Sequence, residues 1–362
     1  QGFPGGSPYP VQLNPSFTFA NGGYYESVPL NVKNTYLEQW NLTIQKQVGS
    51  SWLLKAAYMG NDTVHLWTDQ EQNPGVYIPG NCNTGQYGLT KPGLCTQASN
   101  VTARRALTQL NPTQGPLFGT VELLDDGGTA SYESLVLSAE HRLSQHFMIL
   151  ANYTWAHCIS DLVTTELSGP VYSNPDDRRA DRGDCTAIDV RQNFNLSAVL
   201  QSPKFSSKAL QWIAGDWQLS PIVAVHTGTS FSVTTGVSDP ITGIGGQRPN
   251  QVASNPYCAV QTISCFLNAA AFATPAVTPT GAFGTLGYDN LVGPGYFDVD
   301  LALSRQFRVR EKQRMEIRGE AFNIQNRVNF LNPTAALNSS TFGKVLTDVS
   351  PRIMQFAVKY AF

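Results

Sequence analysis

The sequence predicts an all-β fold, a transmembrane antiparallel β-barrel, from three observations. Nine segments alternate apolar and polar residues with period two, short turns alternate with very long connections, and Trp and Tyr gather near segment ends. Composition agrees. The chain has 362 residues, 24 Lys+Arg against 26 Asp+Glu, a net charge of −2 and only 14% charged residues, where a soluble domain carries roughly 25%. Asn, Gln, Ser and Thr fill the gap, as uncharged polar faces of strands require. No run of about 18 apolar residues occurs, which excludes a transmembrane helix, and near-zero charge without a Lys/Arg block argues against a nucleic-acid partner.

Residues 1–34 read as a loop-like segment. The Gly/Pro-rich start (GFPGGSPYP) has turn chemistry, with no initiator Met, basic n-region or apolar h-region of a signal peptide. The chain is therefore expected to begin inside a loop of something larger. The barrel portion is 35–362. Its first strand, 36–48, sets Tyr36, Trp40, Leu42, Ile44 and Val48 against Gln39, Asn41, Thr43, Gln45 and Gln47. Segments 52–59, 131–143 and 147–155 follow. In 191–200, Phe194, Leu196, Ala198 and Leu200 oppose Asn193, Asn195 and Ser197. Segment 217–226 is weakened by Pro221, which a strand interior rarely tolerates. In 296–307, Phe297, Val299, Leu301 and Leu303 oppose Asp298, Asp300 and Ser304; in 313–323, Met315, Ile317, Gly319 and Ala321 oppose Arg314, Glu316, Arg318 and Glu320. The ninth, 352–362, sets Met354, Phe356, Val358, Tyr360 and Phe362 against Ile353, Gln355, Ala357, Lys359 and Ala361.

Residues 49–51, 144–146 and 309–312 make tight turns, whereas 60–130, 156–190, 235–295 and 326–351 are long. Structureless loops beyond about 15 residues are uncommon in compact soluble domains. Short periplasmic turns and long extracellular loops account for the alternation. The link after Leu200 is intermediate and is read as periplasmic. An odd strand count cannot close an all-antiparallel ring, so the chain is expected to be a C-terminal fragment, of about 9–10 strands, of a larger barrel.

A soluble sandwich would also alternate. Three features favour a membrane wall: strands near the roughly 9–11 residues that cross a bilayer at a tilt, Trp40, Trp52, Trp155, Trp217, Tyr36, Tyr153 and Tyr296 near strand ends as in an interfacial girdle, and polar faces too charged for a dry core. Arg314, Glu316, Arg318, Glu320, Asp298 and Asp300 are accordingly expected to face a watery lumen.

The six cysteines fall two per proposed external loop: Cys82 and Cys95, Cys158 and Cys185, Cys258 and Cys265. Proximity suggests three local disulfides, in keeping with export through an oxidising compartment. No CxxC occurs and the five His residues are scattered, so no metal site or cofactor is expected.

Four segments carry a resemblance: 35–61 (TYLEQWNLTIQKQVGSSWLLKAAYMGN), 131–161, 179–201 and, most specifically, 293–330 (GPGYFDVDLALSRQFRVREKQRMEIRGEAFNIQNRVNF). They resemble the C-terminal barrel of TonB-dependent outer-membrane receptors, in the Oar-like branch with a carboxypeptidase-regulatory-like domain. The resemblance implies a barrel of about 22 strands, of which these would be the last nine. It implies outer-membrane lipid, the barrel assembly machinery and, through parts absent from this sequence, the TonB complex as partners. Phe356, Val358, Tyr360 and Phe362 look like the terminal assembly signal. The plug and TonB box of the family do not occur in this sequence.

Asp176, Asp177, Arg178, Arg179, Asp181, Arg182 and Asp184 form the densest charge cluster, read as a solvated, self-neutralising loop in preference to a ligand site. Glu140, His141 and Arg142 are neighbours on a strand and point to opposite faces, so they do not act as one site. No GxSxG, HExxH, Walker or Rossmann pattern stands in a suitable context, and an enzyme is not expected. The reading is the barrel part of a receptor that binds or takes up a bulky ligand; the alternatives are an adhesive or structural surface protein and a passive porin.

Overall fold

The computed structural model describes residues 22–144, 146–161, 171–186, 188–310, 313–349 and 351–362. The expected loop start, 1–21, lies outside the described residues. Nine long strands follow one another in a single antiparallel sheet: β1 (Tyr36–Val48), β2 (Trp52–Glu71), β3 (Phe118–Ser144), β4 (Phe147–Ser160), β5 (Gln192–Gln201), β6 (Trp217–His226), β7 (Tyr296–Arg310), β8 (Gln313–Phe322) and β9 (Ile353–Ala361). Each pairs with its neighbours in chain order, and β1 and β9 are the two edges among the described residues. No described helix is long and apolar enough to cross a membrane.

Register shows why the alternation exists. Ile44 pairs with Ala56, Ala56 with Leu137, Leu137 with Tyr153 and Tyr153 with Phe194. Phe194 pairs with Val225 and Val225 with Phe297. Because side chains alternate across a sheet, these residues share one continuous apolar face, where Leu42, Ile44, Leu54, Leu137, Phe356 and Val358 are exposed large hydrophobics. Exposure on this scale suits hydrocarbon as solvent and would be an aggregation liability in water.

Two turn positions adopt positive φ, Gly49 at 60° and His146 at 82°, and reverse the chain within two or three residues. Pro221 is accommodated where the β5–β6 register has a gap, between Leu219↔Leu200 and Ile222↔Ser197, while it pairs with Leu301 on the other side. The link between β5 and β6 holds a helix, α1 (Lys208–Ala214), whose Ser207 side chain accepts from the Leu210 N–H.

Two expectations are corrected. First, β2 and β3 run well past 59 and start well before 131, forming a long ribbon beyond the membrane-crossing part. Bulges interrupt its register between Val64 and Leu66 and between Leu66 and Thr68. Alternation fails there because loops cover the ribbon, so Thr68, Asp69, Glu71 and Glu122 are buried polar residues. Second, 1–34 is not all loop: Gly23–Ser27 is a strand that pairs parallel with the β3 extension.

Candidate functional site

The long loops fold into a second packing unit. Its centre is Phe231, Val233, Phe266, Leu267, Phe272, Leu286, Leu291 and Val345, drawn from the β6–β7 and β8–β9 connections. Burying such side chains contributes about 1.5–3 kcal/mol each, so these connections are held like a small domain core. Short pairings fix their course: Ser230–Phe231 with Leu291–Val292, Asn250–Gln251 with Phe272–Ala273, and Tyr257–Thr262 with Cys265–Leu267.

Two arginines join separate loops. Arg104 ends a short helix in the β2–β3 connection and is 0% exposed. Its Nε donates to Asn100 Oδ1 at 2.8 Å; its Nη atoms donate to the carbonyls of Val76, Gln97 (2.9 Å) and Pro240 (2.6 Å). Pro240 belongs to the β6–β7 connection, and the adjacent Asp239 carboxylate accepts from the Ile241 and Thr242 N–H groups at 2.8 Å. Burial lowers the Arg104 pKa, and the Asp239 charge partly offsets it.

Arg248 plays the same part for the β4–β5 connection. Nε donates to Leu286 O at 3.0 Å, Nη2 to Ala180 O at 2.7 Å, and Nη1 to Asp181 Oδ1. Asp181, itself 0% exposed, also accepts from the Ser173 N–H (2.6 Å) and hydroxyl (2.7 Å). The Arg248 guanidinium lies 5.8 Å from the Tyr288 ring centroid, and burial pushes the Tyr288 hydroxyl pKa up. Ser232 donates to Asp289 at 2.6 Å and Thr186 donates to the other carboxylate oxygen.

The charge cluster at 176–184 is therefore only in part a solvated loop: Asp176, Asp177 and Arg179 are exposed. Four of its members reach other parts of the chain: Arg178 pairs with Asp125 (2.5 Å), Arg182 with Asp161 (3.3 Å), Asp184 with His157 (3.0 Å) and Arg191 (3.6 Å), and Asp181 with Arg248. Tyr172 adds a hydrogen bond to Asp125 at 2.9 Å, and burial raises its hydroxyl pKa. A short, polar, charge-rich stretch looks solvated in isolation because its partners lie in distant segments.

Beside Arg248 lies a cleft of about 400 Å³, lined by Val171, Ser173, Ser232, Thr234, Arg248 and Tyr288 among others. A smaller space beside it shares Ser173, Ile244 and Arg248. Charge in the cleft wall is already neutralised by pairing, leaving hydroxyls, backbone groups and one aromatic ring. Such a lining suits hydrogen bonding to an uncharged polar molecule. No group of three or more His, Cys, Asp or Glu able to hold a metal occurs among the described residues.

The residues singled out from sequence do not meet in the cleft. Asp298, Asp300, Arg314, Glu316, Arg318 and Glu320 share the face opposite the apolar one; Asp300 accepts from the Asn323 N–H at 2.9 Å and Arg318 pairs with Glu320. Phe356, Val358 and Tyr360 sit on the apolar face, paired with Gly319, Ile317 and Met315. Disulfides join Cys82 to Cys95, Cys158 to Cys185 and Cys258 to Cys265. Cys158 stands at the end of β4, not in a loop, so its bridge ties the loop to the wall. Sequence reasoning missed Arg104, Asp239, Arg248 and Tyr288. The available signal was scarcity: with 24 Lys+Arg in 362 residues, an arginine within a long, charge-poor loop needs a partner.

A family model described as "Outer membrane beta barrel domain" matches residues 1–355. No curated protein matches the chain. Solved structures do. The outer membrane transporter YddB from Escherichia coli is 10% identical, with TM-score 0.45, and the match covers 94% of this chain and 34% of that one. The ferripyoverdine receptor of the outer membrane of Pseudomonas aeruginosa, bound to ferripyoverdine, is 12% identical, with TM-score 0.39, covering 90% and 27%. The FrpB iron transporter from Neisseria meningitidis is 9% identical, with TM-score 0.40, covering 93% and 32%. The chain spans about a third of the length of these solved chains.

Proposed function

The chain belongs to the outer membrane β-barrel domain family, and from that premise we propose that it forms the wall and the ligand-binding cap of a TonB-dependent receptor for a bulky polar solute. Outer-membrane location and the absence of an enzymatic role come with the family. The receptor role is our reading. Residues 35–362 supply the barrel part, with outer-membrane lipid around it, the barrel assembly machinery as the partner for insertion, and the TonB complex as the energy source.

One observation carries the reading: the external loops are cross-braced, by Arg248 in the wall of a cleft and by Arg104, which ties the β2–β3 connection to the β6–β7 connection that supplies much of that wall. A passive porin needs its mouth open, and bracing of this kind narrows it. A receptor needs a preorganised surface, because ordering loops on binding would subtract from affinity.

The test uses cells that carry the full-length protein. They are given a complex mixture of polar solutes, and depletion of the medium is followed by mass spectrometry with and without a protonophore. Depletion of a particular solute that stops when the proton-motive force collapses supports the receptor. Steady ion conductance of the purified protein in planar bilayers, with depletion indifferent to the protonophore, supports the porin. Neither depletion nor conductance leaves the adhesive surface protein.

A further inference from the structure

The β5–β6 link is the longest of the connections on the short-turn side of the wall, and it carries a helix. Two contacts fix where that helix lies. Trp217 Nε1 donates to Ile213 O at 3.0 Å, and Arg305 donates to Trp212 O. Trp217 and Arg305 are cross-strand partners on the apolar face, one step below the Leu219↔Leu303 pair. The Trp212 and Ile213 carbonyls near the end of α1 are thus satisfied by side chains that project toward hydrocarbon, which places the helix outside the wall and not across the lumen.

The exposed surface of α1 is apolar: Leu210 is 48% exposed, Trp212 73% and Ile213 63%. Gln211, on the opposite side, turns inward to the Phe205 N–H (2.8 Å) and the Asp216 carboxylate (3.1 Å). The apolar surface is continuous with the belt of Leu219, Leu303 and Ile317 through Trp217 and Arg305. Charge around it is mostly positive. Lys204 and Lys208 are exposed, Lys208 stands one turn before Trp212, and Asp216 is the single carboxylate of the link. Arg305 lies between the rings of Trp217 (5.3 Å) and Phe307 (4.7 Å), and its Nε is buried without a hydrogen-bond acceptor.

We propose that α1, with Lys208, Trp217 and Arg305, is a docking site for an anionic phospholipid of the periplasmic leaflet. The helix lies flat in the headgroup layer, Trp212 and Ile213 enter the upper acyl region, and the lipid phosphate sits between Lys208 and Arg305. Short amphipathic helices with Trp on the apolar side and Lys or Arg beside it bind membranes in this manner. The inference rests on the outer-membrane location alone and stands whether or not the protein transports.

The test is fluorescence quenching of the purified full-length protein in phosphatidylethanolamine vesicles with or without phosphatidylglycerol, either lipid carrying bromine near the headgroup. Subtracting the signal of Trp212→Phe isolates Trp212. Brominated phosphatidylglycerol is expected to quench Trp212 more than equally brominated phosphatidylethanolamine, and Lys208→Gln to reduce that preference about fivefold. Arg305→Gln reduces it further, and Lys208→Gln, which removes no contact within the protein, guards against a folding artefact. Absence of any quenchable Trp212 component, equal quenching by both lipids, or a preference unchanged in Lys208→Gln overturns the proposal.

Discussion

Arg248 and Asp181 stand 67 residues apart in sequence and meet as a buried ion pair that joins the β6–β7 connection to the β4–β5 connection. Both side chains are largely buried, so each depends on the other. Removing one partner strands a buried charge, at a cost of about 3–5 kcal/mol. Arg248→Met and Asp181→Leu are each expected to open the cap. The double variant, which strands no charge but leaves the Ser173 N–H and hydroxyl and the Leu286 and Ala180 carbonyls without these partners, is expected to recover part of the loss. Limited proteolysis of the external loops in intact cells measures this, and a double variant no better than either single one would refute the mutual dependence.

Arg104 makes a sharper test of cross-bracing because its partners are mainly backbone carbonyls. In Arg104→Ala, the carbonyls of Val76, Gln97 and Pro240 lose their donor, each buried loss costing about 1–3 kcal/mol. Arg104→Lys restores charge but not the planar fork, and is expected to rescue poorly. The wall does not depend on this residue. Heat-modifiable migration of the barrel therefore stays normal while protease sensitivity of 72–117 rises.

The disulfides should rank by the chain they close. Their separations are 27 residues for Cys158–Cys185, 13 for Cys82–Cys95 and 7 for Cys258–Cys265. Loop-closure entropy gives stabilisations of about 3.6, 2.9 and 2.4 kcal/mol in that order. Serine pairs at each bridge, compared by protease susceptibility of the loops, should follow the same order. The Cys158–Cys185 pair should also loosen the end of β4, seen as faster amide exchange there.

Glu122 gives the ribbon a pH dependence. It pairs across strands with Glu71 on one side and Glu26 on the other. Glu71 is held by Arg105 at 3.2 Å, whereas Glu122 accepts a hydrogen bond from the Tyr24 hydroxyl. Burial raises the Glu122 pKa; the Tyr24 bond lowers it, and the charges of Asp69, Glu71 and Glu26 raise it again. A carboxyl raised in the folded state holds its proton more tightly than in the unfolded chain. Its stabilisation is therefore complete below the unfolded value, near about 4.3, and is lost as pH rises through the folded value. The pairing of Gly23–Ser27 with β3 should be firmer at mildly acid than at neutral pH. Glu122→Gln should firm it at neutral pH and flatten the dependence, measured by amide exchange of 22–27.

How much of this was legible in the sequence follows from which environments a residue sees. Ile44, Phe194 and Val225 face hydrocarbon while Gln45, Asn195 and Ala224 face the other way, so period two marks the wall directly and its nine strands could be read. Beyond Val64 the ribbon has loops on it, both faces meet protein, and alternation carries no information. Arg104 and Arg248 were invisible because their partners are backbone atoms and an aspartate in other loops, chosen by tertiary contact and not by spacing. The helix α1 escaped because seven residues scarcely establish a 3.6-residue period, although Trp212 and Ile213 beside Lys208 held a clue.

The assignment of faces can be tested within two adjacent residues of β9. Val358 pairs with Ile317 on the apolar face, and Ala357 pairs with Arg318 on the opposite one. An arginine on the hydrocarbon face costs up to about 2–4 kcal/mol, depending on depth, whereas one on the polar face stands opposite Arg318 with Glu316 and Glu320 diagonal to it on the neighbouring strand. Val358→Arg should therefore deplete folded, heat-modifiable protein from the outer membrane, and Ala357→Arg should leave it near the wild-type amount. The residues differ by one position and share the same strand ladder, so strand propensity or a general effect of charge near the terminus would affect both alike. A reversed outcome would invert the wall, and equal depletion would point instead to the terminal segment being read as a whole during assembly.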